Sequence, residues 1–201
     1  QALAIAPQNV DALHLLGLAL HQTGRHQDAV SALSQAARLR GDSATLQNHL
    51  GAAQGAAGDL AAAEQSFRRA LALSPHDAQT HYNLGTLFGQ QGRTADAIIE
   101  YQAALTQNPS FAEAYFNLGN IYRDLERLDE AAACFERAAQ ARPNYARALN
   151  NLGTVLNRQG KLDEAEAAYR GALSIQSGYV QARNNLAVNL TEARRLDEAV
   201  E

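Results

Sequence analysis

Apolar residues recur along this chain in short stretches of helical spacing, two to every 34 residues. In one block Leu149, Leu152, Val155 and Leu156 share a helical face, and Leu162, Ala165, Tyr169 and Ala172 share the next. This 3.6-residue periodicity predicts two amphipathic helices per block. With Gly17 set at position 8 of the unit, full repeats run 10–43, 44–77, 78–111, 112–145 and 146–179, and a partial sixth runs 180–201. Residues 1–9 read as the end of a preceding unit, with Ala2 at position 27 and Pro7 at position 32. A fixed period of this length means stacked copies of one helical unit.

The columns keep their register. Positions 7 and 8 are Leu16-Gly17, Leu50-Gly51, Leu84-Gly85, Leu118-Gly119 and Leu152-Gly153, then Leu186-Ala187. Position 20 is Ala29, Ala63, Ala97, Ala131, Ala165 and Ala199, and position 27 is Ala36, Ala70, Ala104, Ala138 and Ala172. Position 24 is large: Leu33, Phe67, Tyr101, Phe135 and Tyr169. Small side chains at 8, 20 and 27 let helix backbones approach, and the position-24 side chain fills the space between them. Gly24, Gly58, Gly92 and Gly160 separate the two stretches and suit a left-handed turn. Asp129-Glu130, Asp163-Glu164 and Asp197-Glu198 then open the second helix, where they complement its dipole. Pro75, Pro109 and Pro143 stand at position 32 and stop that helix; Gly41 and Ser177 stand there in the other repeats.

These columns resemble the tetratricopeptide repeat, whose pattern is Leu-Gly, an aromatic, Ala, Phe and Pro at fixed offsets. The resemblance covers essentially the whole chain. Departures are local: position 11, usually aromatic, is Phe88 and Tyr122 but Gln54 in the second repeat and Leu20, Leu156 and Leu190 elsewhere. The resemblance implies an all-α fold, a right-handed α–α superhelix of antiparallel helix pairs forming one solenoid domain over 1–201. It also implies that the first helices line a concave groove, with positions 2, 5, 6, 9, 12 and 13 pointing into it.

Down position 6 runs a ladder: Asn83, Asn117, Asn151 and Asn185, preceded by Leu15 and His49. Position 5 adds Asn150 and Asn184, with Tyr82 and Phe116; position 9 gives Thr86, Asn120 and Thr154; position 12 gives Arg123 and Asn157. Asparagine is a poor helix-interior residue, because its side chain competes for backbone hydrogen bonds. Two roles account for the ladder. A carboxamide donates and accepts, so it can pair with a partner's peptide N–H and C=O whatever the partner's side chains. Alternatively, the asparagines bond neighbouring helices and hold the array in shape. With packed helices about 8–10 Å apart and an extended peptide rising about 3.3 Å per residue, one rung would serve about every third peptide residue. The ladder resembles the repeat arm of O-GlcNAc transferases, where concave asparagines hold an acceptor peptide's backbone; the match is limited to Asn83, Asn117, Asn151 and Asn185. The expected partner is therefore a protein or peptide in extended conformation. Asn83, Asn117, Asn151 and Asn185 would contact its backbone, while Tyr82, Phe116, Asn120, Arg123 and Asn150 would set specificity. Two further readings are a substrate-recognition arm of a larger enzyme, such as a protein O-glycosyltransferase, and end-to-end self-association.

The carboxylate clamp of chaperone-binding relatives is not expected. Asn120 and Asn151 match its asparagines, but Phe116, Gln181 and Asn185 replace its three cationic groups, so a carboxylate lacks charge-assisted partners.

Composition narrows the classes further. The 201 residues carry a net charge of −4, with Lys161 as the single lysine. No basic block favours nucleic acid, and no apolar run is long enough to cross a membrane. Cys134 has no second cysteine to pair with, and its column suggests a small core filler. His14 and His21 are two turns apart, about 10 Å, too far to share one zinc, and with His49 they read as surface histidines. Gly51, Gly55 and Gly58 read as marks of a loosely helical second repeat. No nucleophile–base pair, phosphate loop or metal-ligand cluster is present, so neither catalysis nor a cofactor is expected of this segment. Beginning at Gln1 and stopping within an expected second helix, the chain is expected to be a piece of a longer one. Its compartment is left open, with the cytoplasm favoured.

Overall fold

The computed structural model describes residues 9–200, with side chains to residue 194. Among these, all regular structure is helical. The chain divides into two compact units, Gln1–Gln107 and Asn108–Glu201.

The first unit holds α1 (Val10–Gln22), α2 (His26–Leu39), α3 (Ala44–Ala56), α4 (Leu60–Leu73), α5 (Ala78–Gln90) and α6 (Thr94–Gln107). The second holds α7 (Ala112–Asp124), α8 (Leu128–Ala141), α9 (Ala146–Arg158), α10 (Leu162–Ile175) and α11 (Val180–Val200). First helices begin at 10, 44, 78, 112, 146 and 180, and second helices at 26, 60, 94, 128 and 162, so the 34-residue period carries through without drift. Short turns force each first helix antiparallel to its second, and within each unit a second helix packs on the next first helix.

The small and large columns interlock as the sequence predicts. Position-20 alanines from Ala29 to Ala165 are fully buried, and the position-24 side chains are at most 3% exposed. Each position-8 glycine lies under its own repeat's position-24 side chain. A Cβ on Gly119 would fall 2.9 Å from Phe135 Cε1, and one on Gly153 would fall 2.6 Å from Tyr169 Cε1. Those distances are too short for any side chain, which explains glycine inside a helix despite its cost of about 1 kcal/mol.

At the inter-helix turn, Gly24, Gly58, Gly92 and Gly160 take φ between 72° and 89°, and Glu126 takes φ 60° at the same register. The residue after this turn precedes the second helix, and at Asp59 its side chain accepts from the Ala62 N–H. Arg93 and Arg127 there bond Asp96 and Glu130 of the first helical turn. Their guanidinium groups also lie 4.0 and 4.5 Å over the position-11 rings of Phe88 and Tyr122. First helices α1, α3 and α5 are capped by Asn9, Ser43 and Asp77, whose side chains accept from the backbone N–H three residues on.

The sixth repeat differs from the sequence reading. A second helix opening at Asp197-Glu198 was expected; instead α11 runs unbroken from Val180 to Val200. Arg194 stands where four repeats have glycine, which avoids the cost of about 1–2 kcal/mol that other residues meet in the left-handed conformation; in the fourth repeat Glu126 adopts that conformation all the same. The side chains of Asp197, Glu198 and Ala199, and the expected positions of Ala2 and Pro7, lie outside the described residues.

Repeat two is neutral and polar at three inner positions where repeats one and five are apolar: buried Gln47 at position 4, Gln54 at position 11 and buried Ser66 at position 23. Among complete internal repeats, its amide protons are expected to exchange fastest, because fewer apolar contacts oppose local opening. Uniform protection in native-state hydrogen exchange would remove this expectation.

Candidate functional site

In each unit the first helices carry asparagines whose bonds run diagonally from one first helix to the next. In the first unit, Asn83 at position 6 of α5 donates through Nδ2 to Oδ1 of Asn48, at position 5 of α3, at 2.9 Å. Its own Oδ1 accepts from Gln79 Nε2 at 3.0 Å. In the second unit, Asn185 of α11 donates to Asn150 Oδ1 of α9 at 3.0 Å, in the same 5-to-6 geometry. Asn151 donates instead to Asn120 Oδ1 of α7 at 3.0 Å. The bonds between neighbouring helices considered from sequence are thus present, and Asn48, which the column reading did not single out, is a member of the set.

These bonds do not exhaust the carboxamides. Each offers two N–H donors and an oxygen with two lone pairs, and Asn83, Asn151 and Asn185 are each only partly buried. Their rotamers are fixed while hydrogen-bonding capacity remains. Asn117 and Tyr82 are partly buried as well, and each has interactions of its own. Arg123 is tied to Asp124 at 2.8 Å.

Two predicted contact residues are placed otherwise. Phe116 is 5% exposed, with its ring centroid 5.7 Å from Phe135 and 5.1 Å from Tyr145. It is a core ring, because position 5 of α7 turns toward its own second helix. Asn150 is 6% exposed and engaged by both Asn185 and Asn151; it acts by positioning those neighbours.

A cleft of about 230 Å³ opens on this face in the first unit, lined by His21, Gly51, Gly55, Tyr82, Asn83 and Thr86 among others. The glycines read from sequence as loosening the second repeat have a more specific use. Gly51 makes room for Phe67, and Gly55 leaves the cleft floor open beneath Leu87.

The histidines also differ from the sequence reading. His14 Nε2 lies 2.7 Å from His49 Nδ1, a rung at the same 5-to-6 register as Asn48–Asn83. Burial first, and for His49 also the neighbouring His14 and His21, hold both rings below their ordinary pKa of 6.5, while Asp11 and Asp77 oppose this. The unfolded chain therefore binds more protons in mild acid. Stability should be full above pH 6.5 and fall as pH drops through the lowered folded-state values. Urea unfolding against pH measures this; a His14→Asn, His49→Asn chain, which keeps an amide rung without titration, should lose that part of the slope. Among the described residues no three His, Cys, Asp or Glu side chains converge as metal ligands. Cys134 is buried, and its thiol is pushed up to about 11 by burial and by Glu130.

A family model described as Tetratricopeptide repeat matches residues 1–44, 16–78, 50–110, 82–146 and 116–180. The chain belongs to the tetratricopeptide repeat family. Its fold class is accordingly all-α, the α–α superhelix built from antiparallel helix pairs, a protein-interaction scaffold. No curated protein sequence matches it. Solved structures of similar fold include MamA, at 24% identity over 80% of this chain and 94% of that one, with a TM-score of 0.72. Pseudomonas aeruginosa pilF is 21% identical over 93% and 91%, with a TM-score of 0.75. YrrB, described as a TPR protein with an unusual peptide-binding site, is 21% identical over 91% and 94%, with a TM-score of 0.68. Among the described residues of this tetratricopeptide repeat chain, no helix is long and apolar enough to cross a membrane.

Proposed function

We propose that this chain binds an extended peptide segment of a partner protein along the face of its first helices. Asn83, Asn117, Asn151 and Asn185 meet the partner's backbone, and Tyr82, Asn120 and Arg123 lie beside them. The observation that carries this reading is the cross-helix pinning of Asn83, Asn151 and Asn185. Each carboxamide is held in one rotamer by a neighbouring helix and still has donors and acceptors to offer, so little side-chain entropy remains to be lost on binding. YrrB's description as peptide-binding supports the same kind of ligand.

Partner capture by the wild-type chain is compared with capture by an Asn83→Ala, Asn117→Ala, Asn151→Ala, Asn185→Ala variant. Each lost hydrogen bond costs about 0.5–1.5 kcal/mol, so the variant is used only at temperatures where circular dichroism shows full helicity. Loss of partners from the folded variant is the expected outcome. Retention of the same partners would assign the asparagines to helix packing alone.

A further inference from the structure

A second cavity lies away from the asparagine face, between successive second helices. It measures about 530 Å³, within the roughly 300–1,000 Å³ typical of small-ligand sites. Its walls come from α2 and α4, with α3 beneath, and include Ser34, Arg38, Gln47, Gln54, Ser66 and Arg69.

The cavity follows from three columns that meet there. Positions 4, 11 and 23 are Leu13, Leu20 and Ala32 in the first repeat and Leu149, Leu156 and Ala168 in the fifth. In the third, His81 and Glu100 of the same columns bond at 2.6 Å and Phe88 fills the middle. In the second they are Gln47, Gln54 and Ser66, all neutral and polar. Ser66 donates to Gln54 Oε1 at 2.6 Å. Gln47 is 4% exposed, and its carboxamide has no hydrogen-bond partner among the described residues. That carboxamide lines the cavity, so its donors and acceptor are open to a group bound there.

Charge at the rim supplies the other half of the argument. Among the described residues Arg38 has no ion-pair partner, and Arg69 makes one side-chain hydrogen bond, to the Gly41 carbonyl at 3.5 Å. No acidic side chain lines the cavity. Two guanidinium groups over a floor of carboxamides and a hydroxyl match a carboxylate attached to an amide: the arginines pair with the carboxylate, and Gln47 and Gln54 meet the amide N–H and C=O. We propose that the second repeat carries a binding site for an acidic amino-acid unit, either an acidic side chain with its flanking peptide groups or a free N-acyl amino acid.

The test is amide and side-chain NMR of the whole chain, titrated with N-acetyl-L-glutamate methylamide and, separately, with N-acetyl-L-glutamate. Saturable shifts at the Gln47 and Gln54 side-chain NH₂ groups are expected with at least one probe, and the tighter probe identifies the source. N-acetyl-L-glutamine methylamide should bind at least about tenfold more weakly. An Arg38→Ala, Arg69→Ala chain should lose binding to a similar degree. Gln54→Phe, which restores the filling ring seen at Phe88, should abolish it while keeping the helices. Absence of saturable shifts would mean the cavity holds water only, and shifts that survive Gln54→Phe would place the probe elsewhere; either overturns the proposal.

Discussion

Phe135→Ala is expected to lower the free energy of unfolding by about 3–5 kcal/mol, as read from urea denaturation followed by helical circular dichroism. The ring is fully buried, and it covers the bare backbone of Gly119 across the α7–α8 contact. A second substitution separates this geometry from a general loss of core. In the wild-type chain Gly119→Ala places a Cβ 2.9–3.1 Å from three ring carbons and should destabilise. Once Phe135 is alanine that obstacle is gone, and the helix gains about 1 kcal/mol from replacing glycine. The effect of Gly119→Ala should therefore change sign between the two backgrounds, a coupling that a double-mutant cycle isolates. Additive effects would mean that glycine at position 8 is not there for the ring.

Ala131→Leu should cost about 1–3 kcal/mol by overpacking. Ala131 is fully buried at the column where every repeat carries alanine, whereas Ala133, two residues along the same helix, is exposed. Ala133→Leu should stay within about 0.5 kcal/mol of wild type. Melting temperatures of the pair check this, and equal melting of both variants would remove position 20 from the contact.

Much of the fold was legible because each column answers a local demand. Glycine at 8, alanine at 20 and a large side chain at 24 are three parts of one contact, so their spacing alone placed the helices and their buried faces. Glu126 escaped this reading, because the turn itself, and not glycine, fixes the left-handed position. The candidate site was legible in part. Reading down single columns found Asn83, Asn151 and Asn185, but the bonds run from position 5 of one repeat to position 6, or from position 9 to position 6, of the next. Asn48 and the His14–His49 rung were invisible to a vertical reading. Phe116 was misplaced because one column holds both buried and open side chains: Asn48, Phe116 and Asn150 are buried at position 5, while His14 and Tyr82 are partly buried. The polar cavity required three columns to be read together in one repeat, and each departure alone looked like ordinary variation.

The driftless spacing of helix starts also makes this chain's length divisible. Joining Ser43 directly to Ala78 would remove one unit in frame and leave a working cap, because Ser43 already accepts from the third residue beyond it, as Asp77 does. His14 would then face Asn83, a mixed rung still able to hydrogen-bond. The pocket of Gln47, Gln54 and Ser66 would vanish in that single event, while α5 and α6 would keep their own contact. The asparagine face and the polar cavity are, in this sense, separately heritable: a lineage can lose the cavity by deleting a repeat and retain most of the asparagines.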